Sequence, residues 1–218
     1  MIDFACGRCG KAYTLAPEFA GRRGKCKACG ADVVVPDAPV GSMTAKAPAR
    51  PAHKPPMRTR RLLADAAQMA RAFADSPLIR VRAASGDPPE VYQVEYRVKG
   101  LDRAPGAKEP IAREHHLVEL QLTADYPRLG PKCRMLTPIF HPNIDPATIC
   151  VGDHWAAGER LADLVVRIGE MIAYQAYNIK SPLNAEAAMW ADLNMLRLPI
   201  DARSVRPPGM GMGEKDEG

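Results

Sequence analysis

Two groups of residues in this chain of 218 have the types and spacing that chemistry requires. The first is the stretch 141–150, HPNIDPATIC, where a His-Pro-Asn turn lies a short loop away from Cys150, itself followed by Val151 and Gly152. A thiolate is a strong nucleophile and an asparagine amide can donate to a developing oxyanion, so acyl chemistry is open to Cys150 with Asn143 nearby. The same ten residues also fit a plain turn followed by a small packed cysteine. The second group is Cys6-Gly7-Arg8-Cys9-Gly10 and Cys26-Lys27-Ala28-Cys29-Gly30, two CxxCG knuckles with sixteen residues between them. Four thiolates in two glycine-bounded turns predict one tetrahedral zinc held by Cys6, Cys9, Cys26 and Cys29. That zinc is structural rather than catalytic, because four sulfurs leave no open position for a substrate.

The elements that position these groups follow from the pattern along the chain. Between the knuckles, Tyr13, Leu15 and Phe19, with the exit strand 33–35, supply a very small core, so residues 1–36 form a zinc ribbon whose metal provides its folding energy. Arg22, Arg23, Lys25 and Lys27 give the ribbon a basic rim that reads equally as a solvated face. Residues 37–58 turn to Pro, Ala and basic residues without apolar periodicity, an extended linker in which His53 has no partner spacing. From Arg60, the residues Leu62, Ala66, Met69 and Phe73 fall on one helical face, and 75–77 (DSP) ends the helix. Alternation then predicts an antiparallel meander of strands at 79–83, 92–98, 118–123 and 132–137, with a Gly/Pro loop over 100–110 and Cys133 as a buried residue. Leu161, Leu164, Val165, Ile168 and Ile172 mark a second helix, and Asn184 is the N-cap of a third running to about Leu196. Residues 199–218 read as a disordered tail.

Composition excludes several classes. The chain has no apolar run long enough to span a membrane, and its acidic and cysteine-bearing start lacks the plan of a signal peptide, so a cytoplasmic protein is expected. Reduced cysteines in CxxC pairs suit that compartment. A net charge of +5, spread over both ends and the linker, gives no concentrated basic face, so nucleic acid is not an expected partner.

One helix, a four-stranded meander, a cysteine-bearing loop and two further helices make an α+β domain over residues 59–198 that resembles the ubiquitin-conjugating enzymes. Separate motifs carry the resemblance. Asp125-Tyr126-Pro127 followed by Gly130-Pro131-Lys132 is similar to that family's YPxxPPK segment, with Gly130 in place of its first paired proline. His141-Pro142-Asn143 matches its HPN triplet and Ile149-Cys150 its catalytic cysteine; Trp155, six residues before Leu161, and Pro182-Leu183-Asn184 match its later landmarks. The resemblance implies a UBC-like fold and a Cys150 that accepts a ubiquitin-like protein from an adenylating activating enzyme and passes it to a target lysine, with no organic cofactor. It implies that Asn143 steadies the oxyanion or holds the loop by hydrogen bonds, that His141 serves loop structure ahead of base catalysis, and that Asn178 and Ser181 line the path of the lysine. Tyr126 and Trp155 read as packing residues.

This sequence also departs from the family. Ser181 stands where many members carry an acidic residue, and the loops before Cys150 and between Cys150 and Trp155 are about one and about three residues shorter. Arg128 replaces an aromatic residue, and Ala156-Ala157-Gly158 replaces the Ser-Pro-Ala loop, in the two loops that meet RING-type ligases, so such a ligase is not an expected partner. A compact conjugating domain behind a prokaryotic-type ribbon suggests a bacterial ubiquitin-like conjugation system. The alternatives are a non-catalytic module that binds a ubiquitin-like protein and an interaction protein acting through the zinc ribbon on nucleic acid or protein. A cysteine hydrolase using His154 or His141 ranks below these, because the spacing fits no nucleophile-base-orienter set.

Overall fold

The computed structural model describes residues 1–37, 55–151 and 155–211. Most of the expected linker, with His53, and also Gly152, His154 and the last residues 212–218 lie outside them. The chain divides into two compact units, 1–54 and 55–218. Among the described residues no helix is long and apolar enough to cross a membrane.

The first unit consists of two antiparallel hairpins, β1 (Ile2–Ala5) with β2 (Ala12–Leu15) and β3 (Arg23–Lys25) with β4 (Asp32–Val34). Each is built on one knuckle. Apart from two of its cysteines, its buried apolar residues are Ile2 and Val35. Phe4 stacks on Tyr13 at 5.6 Å and adds to this thin core.

In the second unit, helix α1 (Met57–Ala72) begins before the periodicity at Arg60. The physical reason is Arg58, which donates to Glu90 at 2.6 Å and to the carbonyls of Leu122 and Thr123 at 3.2 and 3.0 Å, so the first turn has its own anchor. Leu62 and Met69 are buried on the face the sequence indicates. Asp65, placed on the polar side by periodicity, is buried at 4% exposure. It accepts from Tyr126 Oη at 2.5 Å and from Arg61 Nε at 2.8 Å, which supplies the partners a buried carboxylate needs.

The meander is a sheet in the order β10-β9-β6-β5, formed by β5 (Ile79–Ser85), β6 (Val91–Tyr96), β9 (His116–Gln121) and β10 (Lys132–Met135). Its register pairs Tyr92 with Leu120, Val94 with Val118 and Cys133 with Leu120, placing these side chains on one buried face. The expected loop 100–110 instead starts in a short strand, β7 (Gly100–Asp102), that pairs with β8 (Ile111–Arg113) just beyond it, and Arg113 donates to the buried Asp102 carboxylate at 2.6 Å. Three-residue strands are too short for alternation to register.

Helix α2 (Leu161–Ile172) lies over that buried face with Leu161, Leu164, Val165, Ile168 and Ile172 fully buried, and Tyr96 Oη donates to the Val165 carbonyl at 2.9 Å. Asn184 caps α3 (Ala185–Leu193) by accepting from the Ala187 amide at 3.0 Å. The helix closes at Leu193, and a 3-10 turn (Met195–Arg197) takes over the end that was expected to be helical.

The expectation of a disordered tail from 199 is corrected for residues 199–211. Asp201 and Val205 are buried, Arg206 pairs with Asp163 of α2 at 2.9 Å, and Arg160 donates to the Gly211 carbonyl at 2.9 Å. The segment is polar and proline-rich, but it is anchored by ion pairs and by scattered apolar residues, Val205 and Met210 against the core and the buried Pro207, rather than by a stripe. Val205 seats on Gly169, where an added Cβ would lie 2.6 Å from Val205 Cγ1 and 2.9 Å from the Tyr96 ring. Gly169→Ala is therefore expected to destabilise this unit by about 1–3 kcal/mol through overpacking, read as a lower urea midpoint in tryptophan fluorescence. Val205→Ala in the same chain should recover part of the loss; an unchanged midpoint in Gly169→Ala would contradict the contact.

Candidate active site and metal centre

The site begins where the sheet ends. Phe140 donates its amide to the Leu101 carbonyl at 2.8 Å, and His141 follows, fully buried. The imidazole Nδ1 accepts the Asn143 amide at 3.0 Å, which puts the ring proton on Nε2, a buried atom with no hydrogen-bond partner among the described residues. Burial pushes its pKa down to about 3, so the ring stays neutral at physiological pH. Its one lone pair is already committed to the turn.

Next, β11 (Ile144–Asp145) and β12 (Thr148–Ile149) form a minimal hairpin with Ile144 opposite Ile149. Asp145 Oδ1 accepts the Ala147 amide at 2.9 Å and shapes the turn, while Met135 donates to the Pro146 carbonyl at 3.1 Å and fixes the hairpin to β10. The hairpin returns the chain so that the Cys150 amide donates to the Asn143 carbonyl at 3.2 Å. Ile149 and Val151 are buried on either side, and Cys150 between them is partly exposed.

Asn143 joins this loop to the segment before α3. Its Nδ2 donates to the Asn178 carbonyl at 2.7 Å and to the Ser181 carbonyl at 3.4 Å, and its Oδ1 accepts the Asn178 amide at 2.7 Å. The Pro142 carbonyl takes the amides of Leu183 and Asn184 at 2.8 and 3.0 Å. His141, Asn143, Cys150, Asn178 and Ser181 thus share one hydrogen-bonded unit. Within it Asn178 and Ser181 serve through their backbones. The Asn178 side chain is exposed and caps the Lys180 amide at 2.8 Å, and the exposed Ser181 hydroxyl makes no hydrogen bond among the described residues.

The flanking residues divide between packing and chemistry on physical grounds. Trp155 donates Nε1 to the Pro127 carbonyl at 2.8 Å and lies 5.6 Å from the Tyr126 ring. A Cβ on Gly130 would meet Trp155 Cγ at 3.0 Å, which explains glycine where the resembled motif has proline. Cys133 is buried and its thiol is pushed up to about 12 by desolvation, so it is not a competing nucleophile. Sequence reasoning missed Tyr174, two residues beyond α2, whose ring packs on His141 with centroids 4.6 Å apart. Its only signal is an aromatic residue just past the apolar stripe.

In the first unit the Sγ atoms of Cys6, Cys9, Cys26 and Cys29 all lie within 4.8 Å of one another. The two knuckles repeat the same geometry. Gly10 and Gly30 donate to the Cys6 and Cys26 carbonyls, both at 2.8 Å, with φ of 72° and 71°, a left-handed conformation that glycine adopts without strain. Backbone amides of Arg8 and Cys9 point at Cys6, and those of Ala28 and Cys29 at Cys26. Tyr13 donates to Cys26 Sγ at 3.1 Å, and this bond brings the Cys26 thiol down to about 6. Although the Ala31 amide pulls it down, desolvation and the crowding of the other three sulfurs push the Cys29 thiol up to about 12. A set of four sulfurs this close, with donors aimed at Cys6 and Cys26, fits one tetrahedral soft cation.

Comparison with known proteins bears on the second unit. Residues 103–196 match the family model described as ubiquitin-conjugating enzyme. The SUMO-conjugating enzyme UBC9 of Caenorhabditis elegans is 29% identical over 90 residues, covering 38% of this chain and 53% of that protein. Ubiquitin-conjugating enzyme E2 N of Drosophila melanogaster is 36% identical over 78 residues, covering 34% of this chain and 50% of that one. The chain therefore spans about half the length of these curated relatives. The solved E2 domain of a Toxoplasma gondii ubiquitin conjugating enzyme has a TM-score of 0.47 at 22% identity, over 64% of this chain and 89% of that chain. The family match supports a UBC-like domain of α+β type, and the matched residues include His141, Asn143, Cys150, Asn178 and Ser181.

Proposed function

We propose that the second unit conjugates a ubiquitin-like protein through a thioester on Cys150. The observation that carries this reading is the partly exposed Cys150 held by its amide to the carbonyl of Asn143, inside a loop that falls in the matched region. The Cys150 thiolate attacks the thioester that an adenylating activating enzyme presents, and the activating enzyme's thiolate leaves. A target amine then attacks the new carbonyl, Cys150 leaves as thiolate, and the amine's proton passes to water. Amide formation drives the second step, so positioning serves the reaction more than strong acid-base groups do.

In this scheme Asn143 holds the segment 178–181 beside the cysteine, and the N–H in its longer bond to Ser181 is the one that turns to the oxyanion. Such a donor contributes about 3–4 kcal/mol to a transition state. His141 orients the turn. Asn178 and Ser181 line the approach of the lysine, and with Ser181 in place of an acid, loss of the ammonium proton rests on desolvation at the site. No organic cofactor enters the scheme. The first unit holds one structural zinc as a ribbon over residues 1–36 and recruits a target or partner, with the linker giving it reach. The combination fits a bacterial ubiquitin-like conjugation system in the cytoplasm.

The test is incubation of the full chain with its cognate activating enzyme, modifier and ATP, read by non-reducing electrophoresis and mass spectrometry. A reductant-sensitive adduct on Cys150 is expected, with Cys150→Ser giving a reductant-resistant oxyester and Cys150→Ala giving none. Failure of the native chain to form any adduct with its cognate pair would overturn the assignment.

A further inference from the structure

We propose that Tyr174 is a positioning residue that sets the reactive loop from the end of α2, and that the C-terminal segment 199–211 holds it in that role. The argument starts from the backbone. Gln175 donates to the Glu170 carbonyl at 2.9 Å and Tyr174 to the Met171 carbonyl at 2.9 Å. This pair of bonds is the Schellman closure of a helix, and Tyr174 occupies its left-handed position with φ 55°, among the described residues the one positive φ outside glycine. Glycine is the residue that fits this position without steric cost, and an aromatic residue persists there when its surroundings over-determine it. The reason for keeping a side chain at that point lies in what the side chain does.

Tyr174 is 2% exposed, and its Oη donates to the Phe140 carbonyl at 2.7 Å, the peptide that leads directly into His141. The same ring packs on the His141 imidazole. One side chain therefore fixes both the backbone entering the His-Pro-Asn turn and the ring that accepts the Asn143 amide. From Asn143 the bonds continue to Cys150 through its amide and to Asn178 and Ser181 through the side-chain amide.

The C-terminal segment supplies the over-determination. Asp201 donates its amide to the Ala173 carbonyl at 3.2 Å, and Gln175 Nε2 donates to the carbonyls of Asp201 at 2.5 Å and Arg203 at 2.7 Å. Asp201 is itself buried, accepting the Lys99 amide at 3.0 Å. The residues on both sides of Tyr174 are thus fastened to a segment remote in sequence from the cysteine.

The catalytic consequence rests on the proposed thioester chemistry; the positioning does not, and the experiment separates them. Tyr174→Phe in the full chain keeps the ring and removes the bond to Phe140. Hydrogen exchange should then quicken about tenfold or more at the amides of Asn143, Cys150, Leu183 and Asn184, with amides of β6 and β9 unchanged. In single turnover the charged variant should pass its acyl group to free lysine several-fold more slowly, with KM for lysine and the rate of charging unaltered. Gln175→Leu, which leaves Tyr174 intact, should give the same exchange pattern with smaller amplitude, and it decides the matter if Tyr174→Phe does not fold. Unchanged exchange at these four amides, or quickening spread equally over the sheet, overturns the proposal even where thioester formation succeeds. A native chain that forms no thioester removes the functional reading and leaves the exchange result to judge the positioning.

Discussion

Stripping the metal from the four-cysteine site is expected to unfold residues 1–37 and leave 55–211 folded. In the first unit little apolar surface is buried beyond Ile2, Val35, Cys6 and Cys26, and the strands are three or four residues long. A core of that size does not offset the conformational entropy of the chain. The binding of zinc to such a set, worth about 10–16 kcal/mol at neutral pH, is then the folding energy of the unit. The measurement is tryptic cleavage at Arg23 and Lys25, which β3 holds in the folded hairpin, before and after chelation. Both tryptophans, Trp155 and Trp190, belong to the second unit, so their fluorescence should not move while cleavage becomes fast. A ribbon that stays protease-resistant without metal would show that its core suffices and that the four sulfurs are not its anchor.

That contrast reflects what a sequence can and cannot convey. Glycine at the fifth position of each knuckle was legible because a left-handed turn leaves few other choices. The strands β6 and β9 and the helix α2 were legible because one buried face imposes a period of two or of 3.6 on side chains. Asn184 was legible because a cap is a local bond. What escaped depends on long-range partners. Asp65 reads as polar surface until Tyr126, 61 residues away, supplies a donor. Residues 199–211 have no periodicity, since their anchors are Val205 against Gly169, Met210 against the core and charges against α2. His141, Asn143 and Cys150 could be picked out from type and spacing, and Asn178 and Ser181 only through the family resemblance, but the way the five join could not. Asn178 and Ser181 contribute carbonyls and an amide to the loop, and a backbone group carries no sequence signature.

Acid should weaken the second unit below about pH 6.5, because two of its histidines are buried in the neutral form. Desolvation lowers His141 to about 3 and His116 to about 4, against about 6.5 for either in an unfolded chain. Between those limits the unfolded state binds protons that the folded state does not, so stability falls as pH falls. The loss is about 1.4 kcal/mol per histidine for each pH unit below 6.5, or about 4 kcal/mol for the pair at pH 5. On a total of roughly 5–15 kcal/mol for an ordinary domain this is a large fraction. Below about 4 the His116 contribution stops growing, and Asp201, whose carboxyl Arg203 holds well below the usual range, adds a further loss as it is protonated at lower pH still. Urea midpoints from tryptophan fluorescence at pH 7, 6 and 5 measure the slope. His116→Gln should roughly halve it while leaving the turn intact, and midpoints that do not change between pH 6.5 and 5 would refute the burial argument. The remaining half belongs to His141, and its protonation has a second consequence. Where the loop opens, the exposed imidazole takes a proton on Nδ1 and can no longer accept the Asn143 amide, so opening of the loop around Cys150 should become easier with the same pH dependence as the unit loses stability. Hydrogen exchange at Asn143, corrected for intrinsic rate, should therefore quicken on acidification in His116→Gln as it does in the native chain.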